Sequence, residues 1–179
     1  MSWTAPRTWV AGELVTAALG NTHWRDNLLE TAPAKASAEG GIFVGTAANA
    51  IAERITARDT DDTGSTTAST SFVTLTGAPA ITITTGTIAL VLINAYLVNN
   101  TQAGLSFAGV VVSGATTRAT VDDECAWYQA AANNYAGRQG VAVLMNDLTA
   151  GSNVFTMQHR VTAGTGTFNT LELIVIPLS

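Results

Sequence analysis

From Ser65 to the end of the chain, apolar and polar residues alternate with a period of two. In SFVTLTG, residues 71–77, Val73 and Leu75 stand against Thr74 and Thr76; in AITIT, Ile81 and Ile83 stand against Thr82 and Thr84. That period sends successive side chains to opposite faces of an extended strand. Ile88 to Val98, IALVLINAYLV, is instead a continuous run rich in branched residues, as expected of a strand covered on both faces. LSFAGVVVS, CAWYQA, GVAVLMND, NVFTMQHRVT and TLELIVIPL predict further strands, divided by the turn-forming stretches NNTQAG, SGATTR, AANNYAG, DLTAGS and AGTGT. About eight short strands with no helical period predict an antiparallel β-sandwich, best matched by a jelly roll. The outer face of a two-layer sandwich should meet water. The long runs 88–98, 105–112 and 171–176 therefore predict that one sheet packs its outer face on neighbouring subunits, as in a symmetric trimer.

The N-terminal part reads differently. Pro6 to Gly12 is predicted extended, because Pro6 lacks an amide hydrogen and disfavours a helical Ala5, and because Trp9 and Val10 prefer extended backbone. Thr16 is placed to cap one short amphipathic helix running to about Glu30, with Leu19, Trp24 and Leu28 among its apolar positions; Asn21 is an alternative start. Residues 31–50 read as an Ala, Gly, Ser and Pro connector around an apolar piece, IFV. A short strand is expected over Ala52 to Ala57, followed by an acidic loop. These features divide the chain into an arm and helix at 1–30, a linker with short strands at 31–64, and a β head at 65–179.

Charge changes the picture further. Charged residues make up 12% of the 179 positions against 47% hydrophobic ones, where about 25% charged is usual. From Ser65 onward the charges are only Arg118, Arg138 and Arg160 against Asp122, Asp123, Glu124, Asp147 and Glu172. Such a domain stays soluble through Thr, Ser, Asn and Gln or by covering its flanks with copies of itself. A net charge of −5 with no Lys and Arg cluster excludes nucleic acid as the direct partner. The start of the chain lacks a secretory pattern, and the 88–98 run is shorter than the roughly 20 residues of a membrane helix. Synthesis in the cytoplasm without membrane insertion is expected. Cys125 is the only cysteine, so no intrachain disulfide forms and a buried, inert thiol is expected. Asn99-Asn100-Thr101 matches the glycosylation pattern by chance on this reading.

No constellation for catalysis is found. His23 and His159 share no ligand spacing with Cys125 or a carboxylate, so neither a metal nor another cofactor is expected. Asp122, Asp123 and Glu124 are consecutive and would point in alternating directions, which reads as a solvated loop; DTDDTG at 59–64 reads the same way. GTGTF at 164–168 reads as a hairpin turn. There is no nucleophile elbow and no phosphate loop. A chain that binds or builds is expected, not an enzyme. Trp127, Tyr128 and Tyr135 offer an aromatic platform for sugar, although alternation lets only one of Trp127 and Tyr128 face outward.

Residues 4–30, TAPRTWVAGELVTAALGNTHWRDNLLE, resemble the N-terminal segment of virion proteins of tailed phages and prophages, especially of actinobacterial hosts. These are described as head fibre, capsid decoration or minor tail proteins. The shared pattern falls here on Pro6, Arg7, Thr8, Trp9, Gly12, Glu13, Val15, Thr16, Ala17, Ala18, Asn21, Thr22, Arg25, Asp26 and Asn27. The resemblance implies a homotrimer mounted on a particle, by contact with major capsid or tail proteins, and displaying its β domain outward. Independently, Trp3, Trp9, Leu14, Leu19, Trp24 and Leu28 cannot all be buried by so short a segment, and suit an interface. Pro6, Arg7 and Arg25 complete the expected attachment surface, Arg7 and Arg25 pairing with Glu13 and Asp26 across chains. With only residues 31–64 to serve as a shaft, a head location is expected. The alternative is a tail-fibre or tail-tip protein that binds a receptor or host surface glycans.

Overall fold

The computed structural model describes residue 4 and residues 7–29, 31, 35–48 and 50–179. The chain falls into two compact units, Met1–Ile55 with Ser179, and Thr56–Leu178.

In the first unit a turn follows the extended Arg7–Val10 stretch and leads into a helix in three consecutive pieces. These are α1 (Ala17–Gly20), a wider π-helical stretch (Asn21–Asp26) and α2 (Asn27–Leu29). The Thr16 side chain accepts the Leu19 N–H, so the helix starts at the expected threonine cap and not at Asn21. Later in the unit, β1 (Ile42–Ala47) and β2 (Ala50–Arg54) pair antiparallel as a hairpin. The apolar piece IFV of the segment read as a connector is thus part of a paired strand. Glu53 accepts the Ser37 hydroxyl and the Ser37 and Ala38 amides, which hold its carboxyl below the usual range.

The second unit is a jelly-roll sandwich. It contains β3 (Ala57–Asp61), β4 (Ser65–Thr67), β5 (Ala80–Thr85), β6 (Ala89–Asn99), β7 (Leu105–Gly114), β8 (Ala126–Gln129), β9 (Tyr135–Met145), β10 (Gly151–Val161) and β11 (Gly166–Pro177). One sheet has the order β5-β10-β7-β8; the other has the order β3-β11-β6-β9, with β4 also on β11. All pairs are antiparallel. Chain-consecutive strands alternate between the sheets except at β3–β4 and β7–β8, which is the connection pattern of interlocked Greek keys. The sandwich begins at β3, inside the stretch assigned to a linker, since Asp59 and Asp61 sit in register with Leu173 and Leu171 of β11. The expected strand at SFVTLTG is instead one bridge, Val73 to His159.

The core lies between the sheets. Val91, Ile93, Ala95 and Leu97 of β6 meet Leu171, Leu173 and Val175 of β11 and Phe155, Met157 and Val161 of β10. Buried asparagines pin the loops at the ends. Asn153 accepts the Thr116 N–H and donates to Thr85 Oγ1 and the Thr149 carbonyl. Asn99 donates to Ser106 Oγ and the Ala163 carbonyl and accepts the Thr101 N–H. Fully buried, Asn99 is withheld from glycosylation in the folded chain. The GTGTF segment is not a hairpin: β10 and β11 belong to different sheets, and the turn carries the chain across the end of the sandwich. Gly164 has φ +68 there, and a Cβ would collide with the Asn100 and Thr101 side chains.

The two outer faces are finished differently. Residues 115–125 roof the four-stranded sheet: Thr120 and Cys125 fill the space over Gly109, and Arg160 stacks on Phe107 at 4.2 Å while pairing with Asp122. The apolar run 105–112 is therefore covered by the chain itself, not by a neighbouring subunit as expected. The acid cluster is an anchored 3₁₀ turn and not a freely solvated loop, since Glu124 likewise binds Arg118 through two contacts of 2.6 Å. Burial pushes the Cys125 thiol up to about 12, leaving it protonated and unreactive. On the outer face of the five-stranded sheet, Leu144, Leu90 and Ile176 form one cross-strand row and Ala142, Leu92 and Ile174 the next. Leu144 is 59% exposed and the other large side chains of these rows are half-buried.

Candidate functional site

The residues expected to attach the chain fall within the first unit, where they fold on one another. Gly12, at φ +82, turns the chain so that the Glu13 N–H reaches the Val10 carbonyl at 3.0 Å. That turn brings Glu13 back to an ion pair with Arg7, whose guanidinium lies 4.8 Å over the Trp9 ring. Trp9 in turn packs on the helix, edge-on to His23 at 6.2 Å and tilted on Trp24 at 6.0 Å. Asn27 closes the fold: its Oδ1 accepts the Thr4 N–H at 2.9 Å and its Nδ2 donates to the Thr4 carbonyl at 3.0 Å. The pattern residues Arg7, Trp9, Gly12, Glu13, Thr16 and Asn27 therefore shape the segment.

Arg7 pairs with Glu13 and Arg25 with Asp26 within the one chain. Arg25 joins its own neighbour at an exposed site, where such a contact is worth under about 1 kcal/mol.

The surface left over is apolar. Leu14 is 79% exposed, Leu28 66% and Trp24 56%, with Trp9, Val15 and Leu29 also exposed; Leu19 is half-buried, and no described residue of the helix is buried. His23, Trp24, Asn27, Leu28 and Thr31 line a hollow of about 380 Å³ on this segment. Trp3 and Pro6 lie outside the described residues.

The expected aromatic platform is only partly assembled. Along β8, Ala126 is buried, Trp127 is 52% exposed and Tyr128 packs against the core, as alternation requires. The Tyr128 ring lies where a Cβ on Gly137 of β9 would approach to 2.5 Å, so Gly137 makes room for it. Tyr135 is exposed at the start of β9, in register with Asn99. It does not line the groove of about 540 Å³ that holds Trp127 and Tyr128. Asp123, Gln129 and Gln139 complete the polar lining of that groove. Nothing in sequence spacing marks Asp123 and Gln139 as neighbours, since Asp123 lies in the 3₁₀ turn before β8 and Gln139 on β9 of the other sheet.

Among the described residues no group of three or more His, Cys, Asp or Glu is placed to hold a metal ion. Nor, among them, is any helix long and apolar enough to cross a membrane. His159 sits fully buried on β10, 4.6 Å from the Phe168 ring, with no hydrogen-bond partner at either ring nitrogen. Asp61, expected in a solvated loop, is buried and holds the Thr63 amide and hydroxyl.

No protein-family model and no curated protein matches the chain. Among solved structures it is similar to Eiger TNF from S. frugiperda, at 12% identity and a TM-score of 0.49, covering 76% of this chain and 93% of that one. It is also similar to the infectious bursal disease virus VP2 subviral particle, at 12% identity and a TM-score of 0.45, covering 77% of this chain and 38% of that one. For the Gx strain of the same virus the values are 11% and 0.41, over 74% and 35% of the two chains. The chain thus spans under two-fifths of the length of these viral chains. Likeness at this level says nothing of function.

Proposed function

We propose that the chain is a structural component of a tailed-phage virion, a homotrimeric capsid decoration or head-fibre protein docked by its N-terminal segment with the β-sandwich turned outward. The observation that supports this best is the folded but uncovered segment at Arg7–Leu29. Its arm is closed on itself by Arg7–Glu13 and tied to the helix by Trp9–Trp24 and Thr4–Asn27, so its shape is set before docking. Its large apolar side chains nevertheless stay in water. A helix this short owes its stability to packing of an apolar face. Leu14 and Leu28 stay largely exposed, as does Trp24 despite its contact with Trp9, and all three are suited to act as anchors in a partner's pockets. Pre-shaping lowers the ordering cost of docking.

The resemblance of residues 4–30 to phage attachment segments supports the same reading and supplies the partner class: major capsid or tail proteins. The short stretch between helix and sandwich favours the head over a receptor-reaching tail fibre. Trimerisation draws support from the accessible rows Leu90–Leu144–Ile176 and Leu92–Ala142–Ile174. On this reading the molecule builds and does not catalyse, and it resides in the virion.

Particles lacking the protein provide the test. Full-length chain should rebind them, and a chain lacking residues 1–30 should not, while keeping the thermal transition of its sandwich. Trp24→Ala with Leu28→Ala should weaken binding by 30-fold or more, the effect of losing about 2 kcal/mol at an interface anchor. Undiminished binding by the shortened chain would sink the proposal.

A further inference from the structure

We infer that the groove between β8 and β9 is a binding site for a neutral glycan, with Trp127, Asp123 and Gln139 as its contacts. The groove runs between the edge strands of the two sheets: β8 pairs only with β7 and β9 only with β6. Its lining combines three features that the rest of this charge-poor domain keeps apart. Trp127 presents a large, half-exposed aromatic face, although Phe155 and Phe168 in the same domain are fully buried. Such a face packs on the apolar C–H face of a pyranose ring.

The second feature is an unused carboxylate. Asp122 and Glu124, on either side, are held by Arg160 and Arg118, yet Asp123 has no hydrogen-bond or ion-pair partner among the described residues. The third is the Gln139 side chain, likewise without a partner there, which offers both a donor and an acceptor. An ionised carboxylate accepts from two adjacent hydroxyls, and an amide beside it can serve the next one. At about 540 Å³ the groove has room for one or two sugar rings, within the range of small-ligand sites.

Charge selects the class. None of the residues lining the groove is cationic, and Asp123 would repel an anionic sugar. Gly140 lies in the lining opposite Trp127's strand, so no side chain from that position fills the space. Tyr135 stands outside the groove and is not part of the site.

The test uses the purified full-length chain and saturation-transfer NMR with mannotriose, cellotriose and galactotriose as neutral probes and trigalacturonate as the anionic one. At least one neutral trisaccharide should bind, and its affinity should fall tenfold or more in both Trp127→Ala and Asp123→Asn while Tyr135→Ala leaves it unchanged. Each of these side chains is exposed, and an unchanged thermal transition confirms that the variants fold. Three results would overturn the inference: no binding of any neutral probe, equal or tighter binding of trigalacturonate, or binding that survives Trp127→Ala. Particle docking plays no part in this measurement, so its outcome is independent of the attachment reading.

Discussion

Lowered from pH 7 to pH 4, the sandwich should lose roughly 3 kcal/mol of folding stability through one residue, His159. The ring is fully buried between the sheets, beside Phe168, and burial lowers its pKa from 6.5 to about 4. Asp61, the one charged group felt at this position, pulls in the opposite direction but less strongly. Above about pH 6.5 the imidazole is neutral in both folded and unfolded chains, and it contributes no pH dependence. As pH falls from there towards 4, the unfolded chain takes up a proton that the folded chain refuses, so unfolding becomes progressively easier. Below 4 both forms are charged and this contribution levels off. Asp61 and Glu172 act lower on the scale, because hydrogen bonds from Thr63 and Arg58 hold them below the usual carboxylate range. Urea denaturation at pH 7, 5.5 and 4.5 should show the loss, and His159→Leu should flatten it. A wild-type midpoint that stays constant across this window would show that His159 is not held neutral.

If the chain trimerises as proposed, Leu144→Asp should leave it a monomer. Leu144 stands at the edge of the outer face of the five-stranded sheet, at the head of the Leu90 and Ile176 row. It is 59% exposed, so the change places a carboxylate in water in the isolated chain and costs the fold little. Within a packed interface the same carboxylate would be buried without a partner, at a cost of several kcal/mol per chain repeated round the threefold axis. Light scattering should give three times the 18.5 kDa chain mass for the unaltered protein and one chain for the variant. A variant that keeps the parent mass would remove this face from the assembly.

Much of the sandwich is written in the period-two pattern, and the exceptions have physical causes. β6 and β11 are legible because apolar residues fall on both faces of 89–98, broken only by Asn94, and of 171–176, broken only by Glu172. β3 and β4, ARDTD and STT, carry almost no apolar residue. They become strands because β11 offers them a ladder, a long-range partner that no local window contains. SFVTLTG has the right alternation but pairs its backbone with β10 only at Val73, so it makes a bridge and not a strand. The run 105–112 reads as a strand buried on both faces, as it is, but the cover comes from residues 115–125 and Arg160.

The N-terminal segment was legible as an aromatic, apolar terminus. Its internal wiring was not, because Arg7 and Glu13 meet only through the Gly12 turn. Trp127 could be picked out as one of two alternating neighbours, whereas Gln139 joins it and Asp123 only when the sheets close. Tyr135 illustrates the opposite error: near in sequence to the groove's strands, it lies outside the lining.

On the proposed function, the N-terminal segment mounts an outward β-sandwich on a virion. Electron-microscopic difference density between particles with and without the protein tests it most directly. The expected density is threefold, with residues 7–29 at the particle surface and the sandwich projecting from it. No difference density on the particle, or a sandwich bound directly to the surface with the N-terminal segment pointing away, would contradict the account.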